Sequence, residues 1–539
     1  MTIDQQGRRL WGRVSTPQRA AFFSCFITGY LVHLYAFTNT IPNSDGLSRV
    51  FDLQQMTISG RWFLHYASAL NQFTQMPAVI GLLSLLFLGL AAALVVDLLK
   101  VRSRVLAGLS GAVMAAFPCL GYTFLYLFTA SAYCLAILLA VLSVWLAKRC
   151  KTGWLLGVLT LALSMGTYQA YVTAAIALSL LVVLRETLDP EATFSSTLNL
   201  GLRLAAYLAA GAVLYYIILM IFLKAKGLEL LSYLGMDAAS SGYPFGQLPR
   251  LLFDCYKQVV AFFFVPGWHG GFSNTWMVVL NLLLFLLAAG CFLLAAGCFL
   301  RRLKRKALVQ ELWRPLGALA MLALLPLGIN FMRILSPYSD PTPLMKYSFV
   351  TVYLAVLLLL DLTDDLALSS AHPVLSPLSL VCTAALLLSF LNTNNLLYTA
   401  SAQAHRATES YATRLLTRIE ICPGYEPGME IAIVGAIPAD QVCSQIESYV
   451  QVDHYSVPLN TVTPLNKHIY YYLNDWLNVP VEEPSEETMQ AISDSHEFQA
   501  MPLYPADGSV QVLNGRVVVR MQERYTPKSD YEIAYENRR

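Results

Sequence analysis

Residues 39–76 form a polar stretch between two apolar runs, and they contain the side chains best suited to chemistry: Asp45, Arg49, Asp52, Arg61 and His65. Asp45 and Asp52 are seven residues apart, which on a helix puts both on one face, with Arg49 four residues beyond Asp45. A carboxylate at a membrane surface can act as a general base, and nearby arginines can receive a phosphate. The same spacing also describes a solvated ladder of i,i+4 ion pairs, and spacing alone does not choose between the two. Short connections suffice to join two spans, so a loop this long points to a role beyond linkage.

The elements that must position this loop are membrane helices. Hydrophobic residues make up 56% of the 539 residues and charged residues 13%, about half the charged share of an average soluble protein. That balance excludes a soluble enzyme, a disordered chain and a basic nucleic-acid binder. Crossing the hydrocarbon takes about 20 apolar residues per helix, and only helices satisfy their backbone there without closing a barrel. The apolar runs predict eleven spans: 20–38, 77–99, 105–120, 124–147, 153–168, 170–187, 203–223, 276–300, 314–334, 346–362 and 375–397. The first reads as a span rather than a signal peptide, because no small-residue cleavage site follows it.

Basic residues set the orientation. Arg8, Arg9, Arg13 and Arg19, then Lys100, Arg102 and Arg104, then Lys148, Arg149 and Lys151, then RRLKRK at 301–306 all fall on one side. By the positive-inside rule that side is cytoplasmic, as is the N-terminus. The expected organisation is a cytoplasmic segment 1–19, a membrane domain 20–398 with long outer loops at 39–76 and 224–275, and an extracytoplasmic domain 399–539.

Other polar groups gather at the expected outer surface. MGTYQAYVT places Tyr168, Gln169 and Tyr171 at a hairpin between spans. An aromatic belt accounts for the tyrosines but not for Gln169. Asn330 and Arg333 sit at one helix end and Lys346 at the start of the next span, where a cation can snorkel to headgroups or hold a lipid phosphate. In the second long loop, Leu251, Leu252, Cys255, Val259 and Phe262 form the apolar face of a helix expected to lie in the interface. Residues 399–539 read as a small α/β domain: a helix at 401–421, a strand at MEIAIVG and a hairpin at SVQVLNGRVVVRM with an Asn-Gly turn. Cys422 and Cys443 pair there or remain free thiols; the sequence fits both.

SDGLSRVFDLQQMTISGRWF, SMGTYQAY and PLMKYSFV, in that order and in outer loops, resemble the bacterial glucosyltransferase II family of polytopic membrane enzymes. The resemblance covers about residues 20–435. It implies a GT-C like architecture that takes a sugar from a polyprenyl-phosphate carrier and passes it to a cell-envelope glycan on the outer face of the plasma membrane. The acidic residue of the first outer loop, the family's usual base, maps onto Asp45. Relatives often carry two adjacent acidic residues where this chain has Ser44-Asp45, so Asp52 stays a second candidate. The GRW and YQAY segments map onto Gly60, Arg61 and Trp62 and onto Tyr168, Gln169, Ala170 and Tyr171. Arg61, with Arg49, Arg333 and Lys346, would receive the donor phosphate. Trp62, Tyr168, Gln169, Tyr171 and Asn330 would contact the sugars. The expected partners are the lipid-linked donor, the glycan acceptor and the bilayer, with no metal, cofactor or nucleic acid. Two other readings remain: a flippase or transporter of lipid-linked sugars, and a non-catalytic assembly protein.

Overall fold

The computed structural model describes residues 2–47, 56–71, 76–149, 153–230, 243–302, 311–338, 340–365, 372–437, 463 and 466–527. The chain is mostly helical, with a small sheet near the C-terminus. An amphipathic helix α1 (Ile3–Arg13) precedes α2 (Thr16–Thr38), which starts where Ser15 and Gln18 cap each other's backbone N–H groups. Then come α3 (Pro77–Leu98), α4 (Arg104–Ala116), α5 (Pro118–Leu125), α6 (Leu127–Arg149), α7 (Gly153–Thr167) and α8 (Val172–Thr187). α9 (Phe194–Lys226), α10 (Leu248–Phe264), α11 (Thr275–Arg302), α12 (Trp313–Ile329), α13 (Val350–Asp365) and α14 (His372–Glu420) complete the bundle.

Among the described residues, eight helical stretches are long and apolar enough to cross a membrane: α2, α3, α4 with α5, α6, α8, α9, α11 and α14. The expected spans 153–168, 314–334 and 346–362 coincide with shorter apolar helices. Two boundaries differ from the sequence reading for a local reason. The third span runs on to Leu125 through a break at Phe117–Pro118, where proline cannot donate a helical hydrogen bond. The expected helices 375–397 and 401–421 are one helix, α14, because no glycine or proline separates them. At 1.5 Å per residue its 49 residues reach about 74 Å, well beyond a ~30 Å hydrocarbon core.

The bundle packs α2 against α3 and α4, α6 against α3 and α7, α9 against α7, and α12 against α8, while α11 packs on α13 and α14. At one end the charged groups are tied down. Asp97 accepts from Arg149 at 2.7 Å and from the Trp145 indole at 2.8 Å. Asp361 accepts from the backbone N–H groups of Arg102 and Ser103, and Arg314 donates to the carbonyls of Thr187, Asp189, Pro190 and Ala192. These charges close helix ends. The helix expected to lie in the interface, α10, does bury Leu251, Cys255, Val259 and Phe262, but against protein: it packs on α11, α12 and the turn Met332–Leu335.

The C-terminal region is a three-stranded sheet, β1 (Ile431–Val434), β2 (Val510–Leu513) and β3 (Arg516–Arg520), with β3 central, parallel to β1 and antiparallel to β2. Asn514 and Gly515 both have positive φ, as a two-residue hairpin requires. The end of α14, the sheet and α15 (Asn466–Tyr471) share one core that contains Tyr411, Leu415, Ile433, Tyr470 and Tyr472. Leu47, from the loop after α2, is fully buried in this same core. Cys422 is a free, buried thiol; Cys443 lies outside the described residues.

Candidate functional site

The segment that starts at Met56 does not stay at the surface. Residues 56–61 make a tight turn, closed by a bridge between Met56 and Arg61, with Gly60 in the left-handed region at φ +81°. Its partners are α6, the α7–α8 junction and Tyr215 of α9. Tyr215 precedes the end of α9 by eleven residues, about 16 Å of helix. Buried non-helical backbone must have its polar groups satisfied, and two side chains do this. Gln169 Nε2 donates to the Ser59 carbonyl at 2.7 Å and to the Tyr215 hydroxyl at 3.0 Å, and that hydroxyl donates to the Gly60 carbonyl at 3.0 Å. Any Cβ at position 60 would collide with Gln169 and stand 2.6 Å from the Tyr215 oxygen. Gln169, unexplained by an aromatic belt, is there to hold the turn.

Next to this turn, Phe63 N–H donates to the Gly166 carbonyl at 2.7 Å, and the Trp62 ring lies on Gly166 and stacks on Phe222. Arg61 comes out over the Tyr168 ring, 4.7 Å from guanidinium carbon to centroid, and donates to the Tyr133 hydroxyl at 3.3 Å. Tyr133 and Tyr168 stack at 4.7 Å, and Tyr171 meets both rings edge-on. The two segments GRW and YQAY, more than 100 residues apart in sequence, therefore form one packed unit.

Asp45 sits on a one-turn 3₁₀ segment, Ser44–Gly46, capped by Asn43, whose side-chain oxygen accepts from Gly46 N–H at 2.7 Å. Asn43 Nδ2 donates to the Leu125 carbonyl at the α5–α6 junction, and Gly46 lies against the Phe128 ring. Asp45 itself is exposed, within electrostatic reach of the Tyr122 phenol on α5. Leu47, two residues on, is locked in the C-terminal core. Gly46 touches α6 at Phe128 and Arg61 reaches it at Tyr133, five residues or about 7.5 Å of helix further on. Arg49 and Asp52 lie outside the described residues.

The third group is placed differently. Lys346 is only 3% exposed; its ammonium donates to the Gly270 carbonyl at 2.8 Å and lies 4.7 Å from the Trp268 ring centroid. It is within electrostatic reach of Cys119, one helical turn along α5 from Tyr122. Arg333 is held by Asp254 at 3.2 Å and Asp340 at 3.4 Å and donates to the Pro337 carbonyl at 2.8 Å. Asn330 is buried and donates to Gln258 at 3.0 Å. Among the described residues no three His, Cys, Asp or Glu side chains gather in one place.

Asp45, Lys346 and Arg61 are thus distributed around the α5–α6 hairpin. The arrangement offers an exposed carboxylate at its rim and two cations held by aromatic rings and carbonyls. Tyr133, Tyr215, Trp268 and Tyr122 complete it. Sequence reading passed over the three tyrosines because a tyrosine in an apolar helix looks like belt or core, and over Trp268 because it lies in a loop between helices with nothing beside it to mark the contact. No curated protein and no solved structure matches the chain. A family profile described as Glucosyl transferase GtrII matches residues 34–359, from the end of α2 into α13. That range contains the Asp45 turn, the GRW and YQAY segments and Lys346, and it covers more than half of the chain. The chain belongs to the glucosyl transferase GtrII family.

Proposed function

We propose that this glycosyltransferase moves a hexose, in keeping with its family glucose, from a polyprenyl-phosphate carrier to a hydroxyl of a cell-envelope glycan. The family match supports the transfer of glucose. The observation that carries the chemical detail is that an exposed carboxylate, Asp45, and an aromatic-held guanidinium, Arg61, are both anchored on the first turns of α6: the Asp45 turn lies against Phe128 and Arg61 donates to Tyr133.

In this reading Asp45 takes the proton from the acceptor hydroxyl as its oxygen bonds to the anomeric carbon. The bond from that carbon to the phosphate oxygen breaks, and the electron pair leaves with the phosphate. A carboxylate suffices as base because the proton is lost only as the bond forms. Arg61 and Lys346 face the charge that grows on the phosphate, and preorganised donors are most effective where charge develops. We assign the phosphate to these two rather than to Arg333, whose guanidinium already carries two carboxylates. Trp62 and Gln169, both buried in the turn, act by holding Arg61. In this reading the Lys and Arg bias supports a cytoplasmic N-terminus, residues 20–398 in the membrane and residues 399–539 outside the bacterial plasma membrane, and the family resemblance implies a GT-C like arrangement.

The test is transfer by the purified protein in nanodiscs, with radiolabelled polyprenyl-phosphate glucose as donor and envelope glycan from the source cells as acceptor. Asp45→Asn should lower transfer by about 10²-fold or more and leave thermal melting unchanged, since Asp45 is exposed. Wild-type rates in Asp45→Asn would remove Asp45 as base. Donor carried across vesicles without transfer would favour a flippase.

A further inference from the structure

The stretch Arg104–Leu125 is built as two helices, α4 and α5, that meet at Phe117–Pro118. In an unbroken helix the N–H groups of residues 118, 119 and 120 would bond the carbonyls of Met114, Ala115 and Ala116. Pro118 has no N–H. The extended ψ of 127° at Phe117 turns the next donors away, and Leu120 N–H bonds the Phe117 carbonyl instead. Three carbonyls are thus freed inside the bundle, where leaving them unpaired would be costly. Each accepts from one side chain, and the three side chains come from three different elements. The Tyr347 hydroxyl donates to Met114 at 3.0 Å, His33 Nε2 of α2 to Ala115 at 2.8 Å, and Asn394 Nδ2 of α14 to Ala116 at 2.8 Å. All three are buried. A carbonyl only accepts, so Nε2 carries the His33 proton. In the neutral ring Nδ1 then accepts from the Tyr398 hydroxyl of α14 at 2.7 Å.

We propose that this break is a fixed joint for the transfer reaction, with His33, Tyr347 and Asn394 as positioning residues that aim α5 and so set Asp45 and Lys346 relative to each other. The proposal rests on the roles assigned above to those two groups. What lies beyond the joint ties it to the chemistry. α5 brings Cys119 within electrostatic reach of Lys346 and Tyr122 within reach of Asp45, and the carbonyl at its end, Leu125, accepts from Asn43 of the Asp45 turn. α5 also packs on Pro343–Met345, which leads directly into Lys346. Tyr347, the residue that holds the Met114 carbonyl, is the next in the chain. The joint also grips α5 itself: the His33 and Phe124 ring centroids are 4.7 Å apart, and any Cβ at Gly121 would collide with the Asn394 side chain. A helix that had only to cross the membrane could run straight and would need none of these polar groups, which are costly in a span.

The test is the donor kcat/KM for transfer by the full-length protein in nanodiscs, with polyprenyl-phosphate glucose and the source cells' envelope glycan, and with rates taken per folded protein. Tyr347→Phe removes one hydroxyl and leaves the ring. His33→Phe removes the donor to Ala115, and His33→Gln restores an amide N–H at the Nε2 position. Tyr207→Phe is the control: a buried tyrosine of α9 whose hydroxyl bonds Ser143 instead. Tyr347→Phe and His33→Phe should lower kcat/KM about tenfold. His33→Gln should recover to within about threefold of wild type, and Tyr207→Phe should stay within about twofold. Because the joint acts through Lys346, adding Tyr347→Phe to Lys346→Met should cost no more than about threefold beyond Lys346→Met alone. A wild-type kcat/KM in Tyr347→Phe would overturn the proposal, and that variant decides even if His33→Phe does not fold. So would an equal loss in Tyr207→Phe, a His33→Gln no better than His33→Phe, or fully additive losses in the double variant. Wild-type transfer by Asp45→Asn alongside losses in the joint variants would sink the assignment of the base and leave the joint acting on Lys346. An inactive Asp45→Asn alongside wild-type joint variants would do the reverse.

Discussion

Gly60→Ala tests whether the 56–61 turn is what presents Arg61. The left-handed backbone at φ +81° costs an alanine about 1–2 kcal/mol. The new Cβ would also stand 2.6 Å from the Tyr215 oxygen and collide with the Gln169 amide. Both side chains must retreat, which gives up the Gln169–Ser59, Gln169–Tyr215 and Tyr215–Gly60 hydrogen bonds. At about 1 kcal/mol net for each bond, the whole comes to about 4–5 kcal/mol. Gly227→Ala is the matched control. Gly227 also has positive φ, +62°, but a Cβ there would meet nothing within 4 Å, so only the backbone term of about 1–2 kcal/mol applies. The assay is thermal melting in nanodiscs alongside glucosyl transfer. Gly60→Ala should melt well below Gly227→Ala and lose at least about tenfold in transfer, since a 1.4 kcal/mol rise in the barrier is already tenfold. Equal melting of the two variants, or wild-type transfer by Gly60→Ala, would refute the claim that Gln169 and Tyr215 clamp the turn and orient Arg61.

Three further outcomes are expected. Arg61→Lys keeps the charge but loses the planar stack on Tyr168 and the reach to Tyr133, so transfer should fall about tenfold or more with little change in melting; an unchanged kcat/KM for donor would sink its assigned role. Lys346→Met removes a buried ammonium that has one carbonyl and one ring for company. Stability should hold or rise while the donor KM rises about tenfold or more, and a fall in stability with the donor KM unchanged would mean that Lys346 serves the fold. Leu47→Ala empties a fully buried position in the C-terminal core and should cost about 2–5 kcal/mol, read as faster proteolysis within 399–539 together with lower transfer; cleavage at the wild-type rate would mean that this anchor is not needed.

Some of this protein was legible in the residues alone. Apolar runs of about 20 residues have one way to satisfy their backbone in lipid, so the helical bundle followed from composition and length. The closing hairpin followed because Asn514 and Gly515 suit a turn in which both residues have positive φ. That the first polar loop does more than join two spans was to be expected because no connector needs that many residues, and residues 56–61 and Leu47 do pack into other elements. Tertiary contacts were not legible: α14 runs unbroken past residue 397, and the docking of its polar half on the C-terminal sheet is a contact no local pattern encodes.

The site divides in the same way. Asp45 and Arg61 could be picked out by type, because carboxylates and guanidiniums announce their chemistry. Which groups hold their segments depends on contacts across 72 residues for Arg61 and Tyr133, 155 for Gly60 and Tyr215 and 364 for Leu47 and Tyr411, and a local pattern does not encode such pairings. Gln169 shows the difference most clearly. As a polar residue between spans it was an anomaly. In the structure it satisfies a buried turn whose carbonyls have no other donor at hand. Sequence determined which side chains were available for chemistry, and the tertiary fold decided which of them meet, because only packing brings a loop, a helix break and a distant domain to one end of the same hairpin.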